Sequence, residues 1–133
     1  HTRRQHSMLS SPQEYLFELK ACSKAEAVRM WRTAIKEQWN YNCAYCGEFG
    51  DTIDHIHAQA KGGTSELTNV LCCCKRCNKE KAHDAVEIWY FQQYFFQQER
   101  WDRIEEWRRI KSEGKKKRYI RGRGGQPTRS VIL

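Results

Sequence analysis

The sequence predicts an α+β fold in which helices flank a short centre rich in cysteine. Apolar residues recur at three- and four-residue intervals near both ends of the 133-residue chain, which is typical of amphipathic helices. Residues 40–64 are rich in Gly, Cys and Asn and contain a β-like run at 52–56. The length fits one domain, or two small ones at most.

Two helices are predicted before the centre. Ser11 and Pro12 form a helix start, and this helix is expected to reach about Cys22. Ser23, with a glutamate three residues later, caps a second helix that runs to about Gln38. Helical spacing predicts that one face of this second helix lies in the core, with the residues Val28, Trp31, Ile35 and Trp39.

After the second helix we expect a β-hairpin, with strands around Tyr45 and Ile53, and a helix that starts near Cys77. A further helix is predicted from Asp84 to about Lys111. Its apolar stripe is expected to pack on the second helix and contains Trp101, Ile104, Trp107 and Ile110. The chain thus divides into five segments: an arm (1–10), N-terminal helices (11–39), a core (40–83), a C-terminal helix (84–113) and a basic tail (114–133).

The cysteines point to a metal site rather than to disulfides. Two Cys-x-x-Cys motifs, one at Cys43 and Cys46 and one at Cys74 and Cys77, can close four thiolates around one structural zinc ion per chain. Cys73 is an alternative to Cys74, but only Cys74 gives the two-residue gap. No signal peptide is visible, which disfavours a disulfide framework. The remaining cysteines are interpreted as small buried apolar residues: Cys22, Cys72 and Cys73.

A pattern of polar residues lies between and just after these motifs. Asp54 and His55 are adjacent on the predicted strand, so they face opposite sides of it. One of them can hold a metal ion while the other meets a water molecule. Two glycines at 62–63, Asn69 and Asn78 follow in order.

From about residue 41 to residue 83, the chain resembles the HNH nuclease family. The resemblance rests on ordered motifs, which are Cys43 and Cys46, Asp54-His55-Ile56, Gly62-Gly63, Asn69, Cys74 and Cys77, Asn78 and Lys81. It implies a ββα-metal core with a four-cysteine structural zinc. Asn78 stands where other members have histidine, so this chain would be an HNN variant.

The resemblance also implies roles for individual residues. His55 matches the general base, and Asp54 and Asn78 match the ligands of one catalytic Mg²⁺ or Mn²⁺ per site. Asn69 matches the asparagine that orients the base. His57 lies on the same strand face as His55, where it could contact the phosphate, help the base, or be an ordinary exposed or satisfied histidine.

Positive charge is concentrated at the C-terminal end. The chain carries 24 Lys and Arg against 16 Asp and Glu, a net charge of +8. Residues 107–133 hold ten of the basic residues and one acid, so the rest of the chain is close to neutral. Such a tail is typical of nucleic-acid binding, although a solubilising tail has the same composition. The predicted DNA-binding residues are Lys115, Lys116, Lys117, Arg118, Arg121 and Arg123.

Together these features predict an endonuclease that acts on double-stranded DNA, of the small phage or intron-associated homing type. An HNH restriction enzyme, a junction resolvase and a non-catalytic zinc-binding DNA adaptor are the alternatives. One site cuts one strand at a time, so double-strand cleavage requires a homodimer or two successive visits. No apolar run is long enough for a membrane span, which predicts a cytoplasmic protein, in the host cell if phage-encoded.

Overall fold

A computed structural model describes residues 9–18 and 20–110. Within them the helices and strands follow in the order α1 (Pro12–Phe17), α2 (Lys24–Gln38), β1 (Thr52–His55), β2 (Val70–Cys73), α3 (Lys75–Lys81), α4 (Val86–Tyr90) and α5 (Gln98–Trp107). Two short 3₁₀ turns, Gln59–Lys61 and Leu67–Asn69, lie between the strands. The predicted α+β class is confirmed. None of the helices described here is both long and apolar enough to cross a membrane.

The sheet consists of β1 and β2 in antiparallel pairing, with Thr52 opposite Cys73 and His55 opposite Val70. Because α3 begins directly after Cys74, the order is strand, strand, helix, as the ββα expectation requires. The predicted hairpin with a strand around Tyr45 is wrong. Tyr45 lies in the tight turn between two cysteines, where the Cys46 amide bonds a sulfur atom instead of a neighbouring strand.

Helix α2 forms as its cap predicts. The Ser23 hydroxyl accepts a hydrogen bond from the Glu26 amide, and the Glu26 carboxylate accepts one from the Cys22 amide. Its core face holds Trp31 and Ile35, but Val28 is 42 % exposed, contrary to the predicted stripe.

The first helix is shorter than predicted. It ends at Phe17, because the amides of Lys20 and Ala21 both turn back to the Tyr15 carbonyl. Cys22 is exposed, so its predicted burial is wrong, whereas Cys72 and Cys73 are buried as expected. Residues 1–8 of the predicted arm lie outside the described residues. Leu9 and Ser10 are buried, and the Ser10 carbonyl accepts from the Trp31 indole at 2.9 Å.

The single C-terminal helix predicted from Asp84 is instead two helices, α4 and α5, joined by residues 91–97. The break is held by aromatic packing and by Arg100, whose Nη2 donates to the Phe95 carbonyl. Trp107 has the buried position that the stripe predicted, with its ring centroid 5.2 Å from that of Trp39. Its indole N–H also donates to the carbonyls of Leu67 and Val70, at 2.9 and 2.7 Å. Helix α5 is therefore fastened to the start of β2.

The loop between the strands is shaped by two glycines. Gly62 has a φ of +98°, in the left-handed region that glycine adopts without strain. Gly63 passes so close to the backbone that a Cβ atom there would overlap the His57 carbonyl oxygen. The pair therefore lets residues 56–69 fold back tightly beside the end of β1.

Candidate functional site

Four cysteine side chains meet at the junction of the first turn and α3. Cys43 and Cys46 come from the turn before β1, while Cys74 caps α3 and Cys77 lies in its first turn. Their sulfur atoms all lie within 4.8 Å of one another. In each motif the amide of the second cysteine donates to the sulfur of the first at 3.4 Å, and this contact tightens both turns. The structure selects Cys74, rather than Cys73, as the fourth member.

The cluster fits a tetrahedral thiolate metal site. Zinc–sulfur bonds of about 2.3 Å place sulfur atoms roughly 3.8 Å apart at the corners of a tetrahedron. The sulfur atoms of Cys46 and Cys74 are 3.8 Å apart. Four thiolates fill the coordination shell, so such an ion would be structural.

Asp54 lies inside the molecule rather than at its surface. It is 4 % exposed, and its Oδ2 accepts a hydrogen bond from the Tyr45 hydroxyl at 2.7 Å. The Lys81 ammonium, which has no exposed surface, lies 3.3 Å from the same oxygen. Burial raises the pKa of Asp54, and Lys81 and Tyr45 oppose that rise. The strand and α3 are thus joined by a buried ion pair.

His55 faces the other side of β1 and is partly accessible. Its Nε2 lies 3.1 Å from the Ser65 hydroxyl, and its backbone carbonyl accepts from Lys81 at 3.2 Å. Burial lowers the pKa of His55, and the positive charges of Arg32 and Lys81 lower it further. The imidazole is therefore neutral near neutral pH, the form that can accept a proton.

Asn69 acts on the backbone that follows His55 rather than on its ring. The Asn69 amide nitrogen donates to the carbonyls of His57 and Thr64, at 3.0 and 2.8 Å. Its oxygen accepts from the His57 amide at 2.9 Å. The exposed His57 ring contacts the Lys61 carbonyl at 3.0 Å. The orienting role assigned to Asn69, and a catalytic role for His57, stay predictions.

Asn78 lies on α3 and reaches across to β1. Its Nδ2 donates to the Thr52 hydroxyl at 3.1 Å and to the Ile53 carbonyl at 3.2 Å. Thr52 and Asp54 share a face of the strand, since alternate residues point the same way. The hydrogen bonds of Asn78 use its amide nitrogen and those of Asp54 use Oδ2, so a divalent cation held by these two residues would bind the Asn78 carbonyl oxygen and the second oxygen of Asp54. Oxygen donors of this kind suit Mg²⁺ or Mn²⁺.

Sequence reasoning missed two partners in this site. The hydroxyl of Tyr45 and that of Ser65 reach Asp54 and His55 from nine and ten residues away along the chain. The sequence identifies Lys81 only as part of a motif, and nothing in that motif predicts its pairing with Asp54. The predicted DNA-binding residues from Lys115 to Arg123 lie outside the described residues.

Comparison with known proteins identifies the central part of the chain. A family model described as HNH endonuclease matches residues 43–89. Residues 43–89 form an HNH endonuclease domain. The resemblance inferred from the motifs is thereby confirmed, and the ββα order of the described elements agrees with it.

A relative with a curated description is similar to this HNH-containing chain. It is the CRISPR-associated endonuclease Cas9 of Corynebacterium diphtheriae, 33 % identical over 82 residues. The match covers 58 % of this chain but only 8 % of that protein, so the chain spans a small fraction of the relative's length. No solved structure matches the chain.

The buried ion pair of the HNH domain generates a stability prediction. Lys81→Met should lower the free energy of unfolding by about 3–5 kcal/mol, because it leaves the Asp54 carboxylate buried without its cation. Urea unfolding of the purified protein measures the change.

Lys79→Met is the matched control, since Lys79 is exposed on the same helix and should change stability by less than about 0.5 kcal/mol. The double variant Lys81→Met/Asp54→Leu should recover most of the stability, as it removes both charges. Equal stability of the two lysine variants would contradict the pairing.

Proposed function

We propose that this chain is an endonuclease that hydrolyses phosphodiester bonds of double-stranded DNA by a one-metal HNH mechanism. The observation that carries the proposal is the HNH match over residues 43–89, which includes Asp54, His55 and Asn78. Two of these residues lie on β1, and the third donates a hydrogen bond to the backbone of that strand. Asp54 and Asn78 also join β1 to α3, so His55 is the residue of the three that a non-catalytic DNA adaptor would not need.

His55 is the proposed general base. If Nε2 donates its hydrogen to Ser65, Nδ1 carries the lone pair that takes a proton from the attacking water. The lowered pKa keeps this nitrogen unprotonated near neutral pH. Asn69 and Gly63 hold the backbone after the strand, and so limit movement of the base relative to the substrate.

Asp54 and Asn78 are the proposed ligands of one divalent cation, Mg²⁺ or Mn²⁺. Such a cation would supply Lewis-acid stabilisation of the departing oxygen. Lys81 and Tyr45 both contact Oδ2 of the Asp54 carboxylate, which leaves the second oxygen for the cation. Because one site cuts one strand at a time, double-strand cleavage would require a homodimer or two successive binding events at the same DNA site.

Within this class, we infer the phage or intron-associated homing type, because the catalytic core is small and a basic segment follows it. A restriction enzyme or a junction resolvase shares the same site chemistry. Supercoiled plasmid incubated with Mg²⁺ tests the activity itself, since relaxed circles show nicking and linear DNA shows double-strand cleavage. Unchanged plasmid would contradict the proposed activity.

The four-cysteine cluster predicts one zinc ion per chain, which stabilises the fold. Cys74→Ser should release the metal and remove much of the folding free energy, because a structural zinc contributes on the order of 10 kcal/mol in small domains. Elemental analysis and thermal unfolding measure both effects. Cys22→Ser is the control, since Cys22 is exposed and outside the cluster. Native protein without zinc, or a fully stable Cys74→Ser variant, would refute the assignment.

The general-base role predicts that His55→Ala keeps the fold, the zinc and DNA binding, but reduces cleavage by about 10²–10⁴-fold. The reduction follows from removal of the group that accepts the proton of water. Single-turnover cleavage of a labelled duplex measures it, and the exposed His83, changed to alanine, serves as control.

Raising the Mn²⁺ concentration distinguishes the loss of the general base from the loss of a cation ligand. Asn78→Ala should recover part of its activity at high Mn²⁺, whereas His55→Ala should not. A folded His55→Ala protein that cuts at the wild-type rate would disprove the assignment and make His57 the next candidate.

The basic tail predicts salt-dependent DNA binding. Removal of residues 115–133 should weaken binding, and the slope of log affinity against log salt should fall by roughly 0.9 for each phosphate that the protein no longer neutralises. Fluorescence anisotropy with a labelled duplex at several salt concentrations measures the slope. Removal of residues 124–133 alone, which keeps the six predicted DNA-binding residues, is the control. An unchanged slope after the longer deletion would show that the tail does not bind DNA.

A further inference from the structure

Tyr45 links the cysteine cluster to the site at Asp54. It stands between Cys43 and Cys46 in the first motif, so its backbone is part of the turn that presents two of the four sulfur atoms. Its side chain is fully buried and reaches β1, where the hydroxyl donates to Asp54 Oδ2 at 2.7 Å. One residue therefore takes part in both sites.

The backbone of Tyr45 is fixed from the other side by the C-terminal helices. Its carbonyl accepts hydrogen bonds from the Tyr90 hydroxyl at 2.7 Å and from Arg100 Nε at 2.8 Å. The Tyr45 ring packs edge-on against Trp89, with centroids 5.1 Å apart. Because the carbonyl and the ring are both held, the hydroxyl is presented at a defined point, as groups that hydrogen-bond to metal ligands typically are.

The Asp54 carboxylate needs such a fixed neutral donor. Lys81 lies 3.3 Å from the same oxygen, and its ammonium carries three hydrogens. With Lys81 as the only partner, the carboxylate could rotate to offer both oxygens to the ammonium. The Tyr45 hydroxyl holds Oδ2 in one place and so limits the rotation that would turn the other oxygen toward the ammonium.

We propose that Tyr45 is a positioning residue that aligns Asp54 for the divalent cation and ties that alignment to the cysteine cluster. This inference rests on the proposed function, since it concerns the same cation site. It differs from a packing role, because the Tyr45 ring alone would fill the same space without the hydroxyl.

The test compares Tyr45→Phe with Tyr15→Phe in the full chain. Each variant removes one buried hydroxyl and keeps the ring, but the Tyr15 hydroxyl accepts from the Leu9 amide, whereas the Tyr45 hydroxyl touches Asp54. Mn²⁺ affinity is measured without DNA, by the electron paramagnetic resonance signal of free Mn²⁺, on protein whose zinc content and thermal unfolding are also recorded. Tyr45→Phe should bind Mn²⁺ about 10- to 100-fold more weakly, and Tyr15→Phe should keep the wild-type affinity.

Cleavage gives a second readout. For Tyr45→Phe the Mn²⁺ concentration at half-maximal rate should rise, while the rate at saturating Mn²⁺ stays near that of the wild type. A Tyr45→Phe variant that binds Mn²⁺ like the wild type would overturn the inference, and so would an equal weakening in Tyr15→Phe, which would indicate a general loss of packing.

Asn78→Ala distinguishes failure of this inference from failure of the proposed function. If Asn78→Ala weakens Mn²⁺ binding and Tyr45→Phe does not, only the positioning role is wrong. If the wild type binds no Mn²⁺, or Asn78→Ala binds it as tightly as the wild type, the proposed cation site is wrong and the positioning role falls with it.

Discussion

The convergence of four cysteine sulfur atoms within 4.8 Å is the constraint on which the rest of the HNH domain depends. Two of the sulfur atoms precede β1 and two follow β2, so the cluster joins the chain that enters β1 to the chain that leaves β2, at one end of the strand pair. Asn78 and Lys81 follow the second motif on α3, and their side chains meet β1 because that helix starts at the cluster. The sheet has only two strands in the described chain, so the cysteine cluster, rather than further strands, holds the pair in position.

The sequence is informative where a motif carries its own local geometry. The Cys-x-x-Cys spacing predicts the cluster, and the Ser23 cap places the start of α2. Prediction from the sequence fails where the partner of a strand or side chain lies far away along the chain. The strand that pairs with β1 is Val70–Cys73, a fully buried run without the polar alternation of a half-exposed strand. Aromatic residues continue without interruption from α4 toward α5, so the sequence gives no sign that the helix ends between them. The break is stabilised by Arg100, which donates a hydrogen bond to the Phe95 carbonyl.

The candidate site also combines features that the sequence predicts with features that it does not. Residue types and order identify Asp54, His55 and Asn78, but their surroundings come from tertiary contacts. Asp54 is predicted only as a metal ligand, and the structure adds a buried ion pair, because α3 brings Lys81 across 26 residues of chain to the carbonyl of the neighbouring His55. No local pattern in a single sequence specifies such a contact, nor the hydroxyl of Ser65 beside His55.

The bond from the Trp107 indole to the two carbonyls at the start of β2 has a mechanical consequence. If the last turn of α5 frays, two buried carbonyls lose their donor, which couples helix fraying to strand opening. We therefore expect α5 and the start of β2 to open together. Tension applied to the chain beyond residue 110 would be borne by these hydrogen bonds before it could reach β1, the partner strand of β2.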